Sequence, residues 1–197
     1  PVPPDDTPVP PDDTPVPTPP TRTPSEIIRD ILPWAGDVLS KDQQSALRSL
    51  ETLVAEDFAL GKGVASLSWV VDGADGPEVK ALTYLSSLSE RDVGLTQTVF
   101  SFSWIKDSIS DPESKAIQNI NALAHRDLGL ARNVVALPWV IDDITETEWP
   151  PLASLATLKD SGNLPPDKPV GFHWVVDDMT EPERWALHYL NKLSEKD

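Results

Sequence analysis

Five aspartates recur at one interval. Asp37, Asp72, Asp107, Asp142 and Asp177 stand 35 residues apart, in acidic turns such as "WVVDGADGPE", "WVIDDITETE" and "WVVDDMTEPE". Carboxylates gathered this way are the ligands calcium takes, because it binds oxygen alone. Asp in the turn before a helix also bonds backbone amides, which is ordinary turn and cap chemistry. The spacing matches no EF-hand loop, so turn chemistry is the favoured reading. Other chemistry has less to work with. His125, His173 and His188 fall at different points of the interval. No HExxH, phosphate loop or nucleophile elbow occurs. Cysteine is absent, which removes Cys-bound metals and a disulfide scaffold. Single carboxylates abound, but nothing pairs them with a base. The chain reads as a non-enzyme that takes no cofactor.

The interval itself is the strongest signal, and Trp34, Trp69, Trp104, Trp139 and Trp174 carry it, each three residues before its Asp. Six residues after each Trp stands Ser40, Asp75, Ser110, Thr145 or Thr180; nine after stands Gln43, Glu78, Glu113, Glu148 or Glu183. Residues of these types three apart form a capping box, in which each side chain bonds the other's backbone amide at a helix start. Pro77, Pro112 and Pro182 sit in the first turn, where a missing N–H costs little. A helix A follows, with Leu82, Leu85 and Leu88, or Ile117, Ile120 and Leu123, on one buried stripe. A helix B starts at a second cap, Asp57, Asp92 or Asp127. It is apolar on two sides: Leu95, Val99 and Phe102 on one, Phe100 and Trp104 on the other, at ~100° per residue. Such a helix must lie between neighbours. The predicted fold is all-α, a solenoid of about five two-helix repeats. The Trp ladder is read as packing between units, and its alternative is an aromatic strip that grips a proline ligand.

This layout resembles the tetratricopeptide-like families, which pair two antiparallel helices in units of about 34 residues. The resemblance covers residues 25–197, although the tetratricopeptide consensus places its Trp early in the first helix and in this chain the Trp closes the second. The string "PWVIDDITETE" at 138–148 is similar to repeats of exported bacterial proteins. What the family resemblance implies is peptide binding in a concave face.

Before the repeats lies a different composition. "PVPPDDT" occupies residues 1–7 and returns unchanged at 8–14. Proline fixes φ and removes amide donors, so residues 1–24 are predicted to form an extended polyproline arm. At ~3.1 Å per residue the arm reaches roughly 70 Å. Its Thr-Pro cluster is a candidate for glycans. The chain carries 32 acidic and 16 basic residues, a net charge of -16. That balance opposes binding to nucleic acid or anionic lipid, and no apolar run reaches the length of a bilayer span. A first residue other than Met is expected of a processed or excised chain, as when a secretory signal is removed.

The fourth unit departs from the pattern. Its helix A begins "TETEWPPLASL", where Pro150 and Pro151 fall too deep for a regular first turn. Its helix B is replaced by "SGNLPPDKPVGFHW". The gap is either drift in a tolerant loop or a docking notch, with Trp149 and Trp185 beside it. The flanking segments are half units. "PSEIIRDILPW" is a helix B without its A, expected to expose Ile27, Ile28 and Ile31. "EPERWALHYLNKLSEKD" is a helix A without its B, expected over 181–196 and exposing Leu187, Leu190 and Leu193. Complementary unlike surfaces join copies head to tail without closing. The function expected is therefore a structural subunit of an extracellular or cell-surface filament, a homopolymer in which the arm docks on a neighbour. The alternative is a surface-tethered adaptor that binds peptides or proteins.

Overall fold

The computed structural model describes residues 22–36, 38–142, 144–146, 149–160 and 180–194. Most of the arm, Trp174, Asp37, Asp177, His173 and the segment at 161–179 lie outside the described residues. The protein is all-α, and among the described residues there is no strand. Its elements are α1 (Pro24–Ile31), α2 (Lys41–Glu56), α3 (Phe58–Ala65), α4 (Ser68–Val71), α5 (Gly76–Arg91), α6 (Val93–Phe100), α7 (Ser103–Asp107), α8 (Asp111–Arg126), α9 (Leu128–Val134), α10 (Pro138–Asp142), α11 (Trp149–Asp160) and α12 (Glu181–Ser194).

The long helices start where local chemistry offers their first amides a partner. Ser40 Oγ accepts from the Gln43 amide at 3.2 Å while Gln43 Oε1 accepts from the Ser40 amide at 3.0 Å, ahead of α2. Ser110 and Glu113 do the same ahead of α8. At α5 and α12 the returning acid is in place, with Glu78 on the Asp75 amide at 3.2 Å and Glu183 on the Thr180 amide at 2.7 Å. At α2 and α8 both halves of the box are made, and at α5 and α12 the acid satisfies the cap amide. A box at Thr23 and Glu26 opens α1, so the helix takes in Pro24, which the sequence had placed in the arm. Glu148 lies outside the described residues. There α11 begins at Trp149, three residues late, so Pro150 and Pro151 fall within its first turn, where amides have no helical partner.

The second caps also form. Asp57, Asp92 and Asp127 accept from the amides of Leu60, Leu95 and Leu130 at 2.8–2.9 Å. What they start is shorter than the helix B expected. Each stops after seven or eight residues, and the tryptophan rides on a separate short helix, so the two-helix unit becomes a three-helix unit. Leu67 and Phe102 are extended at the break, with φ/ψ of -66/141 and -64/143. The hydroxyls of Ser66 and Ser101 donate back to Lys62 O and Thr98 O, adding a second donor to carbonyls of the last turn beside the backbone amides of the same serines. In the third unit Pro138 keeps the preceding residue out of the α region.

Helix α2 packs on α5, α5 on α8, α8 on α11 and α11 on α12, while α3, α6 and α9 each cover the long helix before them. The inward stripes are closed: Leu50, Leu53, Leu82, Leu85, Leu88, Ile117, Ile120, Leu123, Leu152 and Leu155 are fully buried. The short helices form a second row, α4 against α7 and α7 against α10. One bond joins that row. Trp34 Nε1 donates to Val70 O at 2.6 Å, Trp69 Nε1 to Ile105 O at 2.9 Å, and Trp104 Nε1 to Val140 O at 2.9 Å, each 36 residues on. Trp69, Trp104 and Trp139 are buried and Trp34 is half-buried. A second tie spans 40 residues: Gln97 Nε2 donates to Asp57 Oδ2, and Arg132 pairs with Asp92. The Leu95 amide holds the Asp92 carboxyl below its usual range against the opposing effect of burial, and Arg132 adds to the lowering.

Helices A and B cross closely only where side chains are small. A Cβ at Gly61 would lie 2.4 Å from Val54 N and 2.6 Å from its Cα. At the positions 35 residues on stand Ser89 and Thr96, then Ala124 and Ala131, all buried. The bulk therefore trades between the two helices from unit to unit.

Two outcomes follow from these contacts. Gly61→Ala should destabilise by ~1–3 kcal/mol in urea unfolding, because overpacking outweighs the ~1 kcal/mol that alanine gains over glycine inside a helix. A net gain would show that α2 and α3 do not approach this closely. Trp69→Phe keeps the aromatic bulk but strands the buried Ile105 carbonyl, and should cost ~1–3 kcal/mol. A loss no larger than that of Trp34→Phe, where the ring is half-buried, would contradict the tie.

Candidate functional site

The segment at which the sequence suggested a notch, 161–174, lies outside the described residues; α11 and α12, which flank it in the chain, border a cleft. Pro150, Pro151 and Ser154 form its α11 wall; Glu181, Arg184, Trp185 and His188 form its α12 wall, around a volume of about 520 Å³. The α12 residues follow i, i+3, i+4, i+7 spacing, so the helix turns them all to one side. Leu187 falls on the opposite side and is fully buried, as are Leu152 and Leu155 of α11. The cleft lining thus mixes Trp185, Pro150 and Pro151 with the polar Ser154, Glu181, Arg184 and His188. Trp185 is 53% exposed. It meets His188 edge-on, with ring centroids 5.9 Å apart at 80°. Trp149 is half-buried, with the Lys115 ammonium 4.7 Å above its ring and its carbonyl accepting from Asn119 at 3.5 Å. The Thr180 hydroxyl and amide hold the Glu183 carboxyl below its usual range, so that carboxylate is fixed to the helix start.

The structure thus brings Trp185 to the rim of this cleft and sets Trp149 at the start of its α11 wall. It corrects the exposed terminal stripes. Ile28 is fully buried, because α1 packs against α2 and α3 and leaves Ile27 and Ile31 half-buried. Ser25 Oγ also ties α1 to Glu51 at 2.6 Å. Leu187 is buried against α11 and is not a bare edge. The side chains of Leu190 and Leu193 lie outside the described residues.

The aspartate ladder borders a smaller hollow of about 270 Å³, where Asp107, Asp142 and Glu113 meet Ser103 and Ser108. Glu113 is committed to the Ser110 amide at 2.6 Å, and Ser103 Oγ donates to the Asp142 carbonyl at 3.2 Å. Among the described residues no group of three or more His, Cys, Asp or Glu is placed to hold a metal ion. His125 lies 3.2 Å from Ser87 Oγ and links α8 to α5; His188 belongs to the cleft. No described helix is long and apolar enough to cross a membrane.

Arg184 and His188 were not singled out from sequence, although a signal existed. The positions 35 and 70 residues before Trp185 hold Pro150 and Lys115, and those before His188 hold Ala153 and Gln118. An aromatic where an earlier unit carries a lysine marks an outward position put to another use. Compared with protein-family models, curated proteins and solved structures, the chain gives no match.

The burial pattern predicts opposite behaviour for two neighbours. Leu187→Ala should cost ~2–5 kcal/mol, as a filled core position does. Trp185→Ala should cost less than Leu187→Ala despite removing the larger side chain. Chemical denaturation measures both, and a reversed order would place the cleft on the wrong side of α12.

Proposed function

We propose that the protein is a structural, non-catalytic subunit: an α-solenoid of 35-residue repeats that assembles with copies of itself into an extracellular filament. The observation that carries this reading is the reuse of one contact. Each indole donates to the carbonyl 36 residues on, at 2.6–2.9 Å, through three successive units. Arrays held by one nearest-neighbour contact extend by adding the same kind of unit, and unlike surfaces that meet without closing extend between chains as well. The joining surfaces differ from those expected of bare terminal helices. With Ile28 and Leu187 interior, the outward features are the half-buried Ile27 and Ile31 of α1 and the exposed Trp185 of α12. The proline-rich arm is the part that reaches a neighbour.

The cleft supports a second reading, an adaptor that binds a peptide from another protein. An aromatic side chain beside prolines, as Trp185 stands beside Pro150 and Pro151, is the kind of lining that holds extended peptides in grooves. Sedimentation across a concentration series, with negative-stain imaging of the same samples, separates the two. The filament reading expects species that grow with concentration and images of unequal-length polymers. A monodisperse monomer at every concentration would overturn it and leave the adaptor.

A further inference from the structure

We propose that the α11–α12 cleft is the receptor for residues 1–21 of a second copy, which lie in it as a polyproline strand. The inference rests on the self-assembly reading and names its contact. Three observations point to this occupant. First, the chemistry of the cleft suits proline: Trp185 offers an exposed aromatic face that meets His188 edge-on, with the half-buried Pro150 on the α11 wall. Polyproline strands dock between such faces at low entropic cost, because their backbone is already extended. Residues 1–21 contain ten prolines. Second, the cleft offers the acidic segment a cation. The segment holds Asp5, Asp6, Asp12 and Asp13 and no basic residue, while Arg184 stands in the cleft wall one helical turn from Glu181, the lining's carboxylate. The two Asp pairs are seven residues apart, so either repeat of "PVPPDDT" presents the same face to the same arginine. Third, the volume of about 520 Å³ falls within the ~300–1,000 Å³ of ligand clefts.

Length selects the second copy over the same chain. The arm leaves from α1, and α2, α5 and α8 stand in the row between α1 and α11. At ~9 Å per helix neighbour, crossing that row takes roughly 36 Å. Twenty-one residues span roughly 65 Å at ~3.1 Å each. Docking in its own cleft would spend more than half of the arm on the crossing. In a neighbour both seven-residue repeats remain available.

The native chain has no cysteine, so an introduced one is a unique probe. Full-length copies carrying Thr7→Cys are mixed with copies carrying Glu181→Cys, on the cleft wall, or Glu90→Cys, on the exposed side of α5. Mild oxidation should give the Thr7–Glu181 heterodimer about tenfold faster than the Thr7–Glu90 one, since docking raises local concentration. An added synthetic peptide of residues 1–21 should slow it, and Trp185→Ala should bring it to the control rate. Equal rates at the two sites would overturn the proposal. So would a chain carrying both Thr7→Cys and Glu181→Cys that closes only on itself. Sedimentation of the unmodified chain is read separately. Polymers with equal crosslinking rates would spare the filament and remove the cleft; selective crosslinking without polymers would do the reverse.

Discussion

A buried indole N–H reaching the carbonyl of the next unit is the contact on which the rest of the structure depends. Helices of four or five residues such as α4, α7 and α10 leave most of their carbonyls without helical partners. Val70, Ile105 and Val140 each take their added donor from the tryptophan of the preceding unit. The short helix is therefore completed by its neighbour, and the neighbour's tryptophan is satisfied by the short helix. A buried indole without a partner would be costly, and so would the stranded carbonyl. Each unit is thus incomplete alone, which is the physical reason for stacking them.

The break before each short helix serves that contact. A continuous helix B would keep Trp104 in register with Phe100 on the flank of its own unit. Stopping at Ser101 and turning through extended Phe102 lets the indole reach Val140 O of the following unit while its ring lies 5.6 Å from Phe102 of its own. The long helices supply the flat support. Their stripes of Leu and Ile close completely because α3 and α6 approach them closely, most tightly where Gly61 of α3 meets Val54.

The sequence revealed the starts of α2, α5, α8 and α12, since capping boxes and apolar stripes are local and repeat, whereas α11 starts three residues later than the pattern. It also carried the second caps at Asp57, Asp92 and Asp127. It hid the break, whose signals are a serine hydroxyl bonding backward and one proline, Pro138, in a single unit. Helical spacing alone continued through it. The terminal stripes were misjudged for a different reason. Exposure of Ile28 and Leu187 was inferred from the absence of a sequence partner, but α1 fits against both α2 and α3, and α12 against α11. Packing partners are set by geometry that no local pattern records. The cleft was legible in part: Trp185 stands out from the lysine of an earlier unit, whereas Arg184 and His188 acquire meaning only once their helix face is known.

Exchange of the indole protons with deuterium, followed by NMR, tests the central claim most directly. If each unit is completed by the one before it, Trp69 and Trp104 should exchange only with unfolding, orders of magnitude slower than a free indole, while the half-exposed Trp185 exchanges far faster. Exchange of Trp69 and Trp104 at the rate of Trp185 would show that the indole-to-carbonyl tie does not hold the units together.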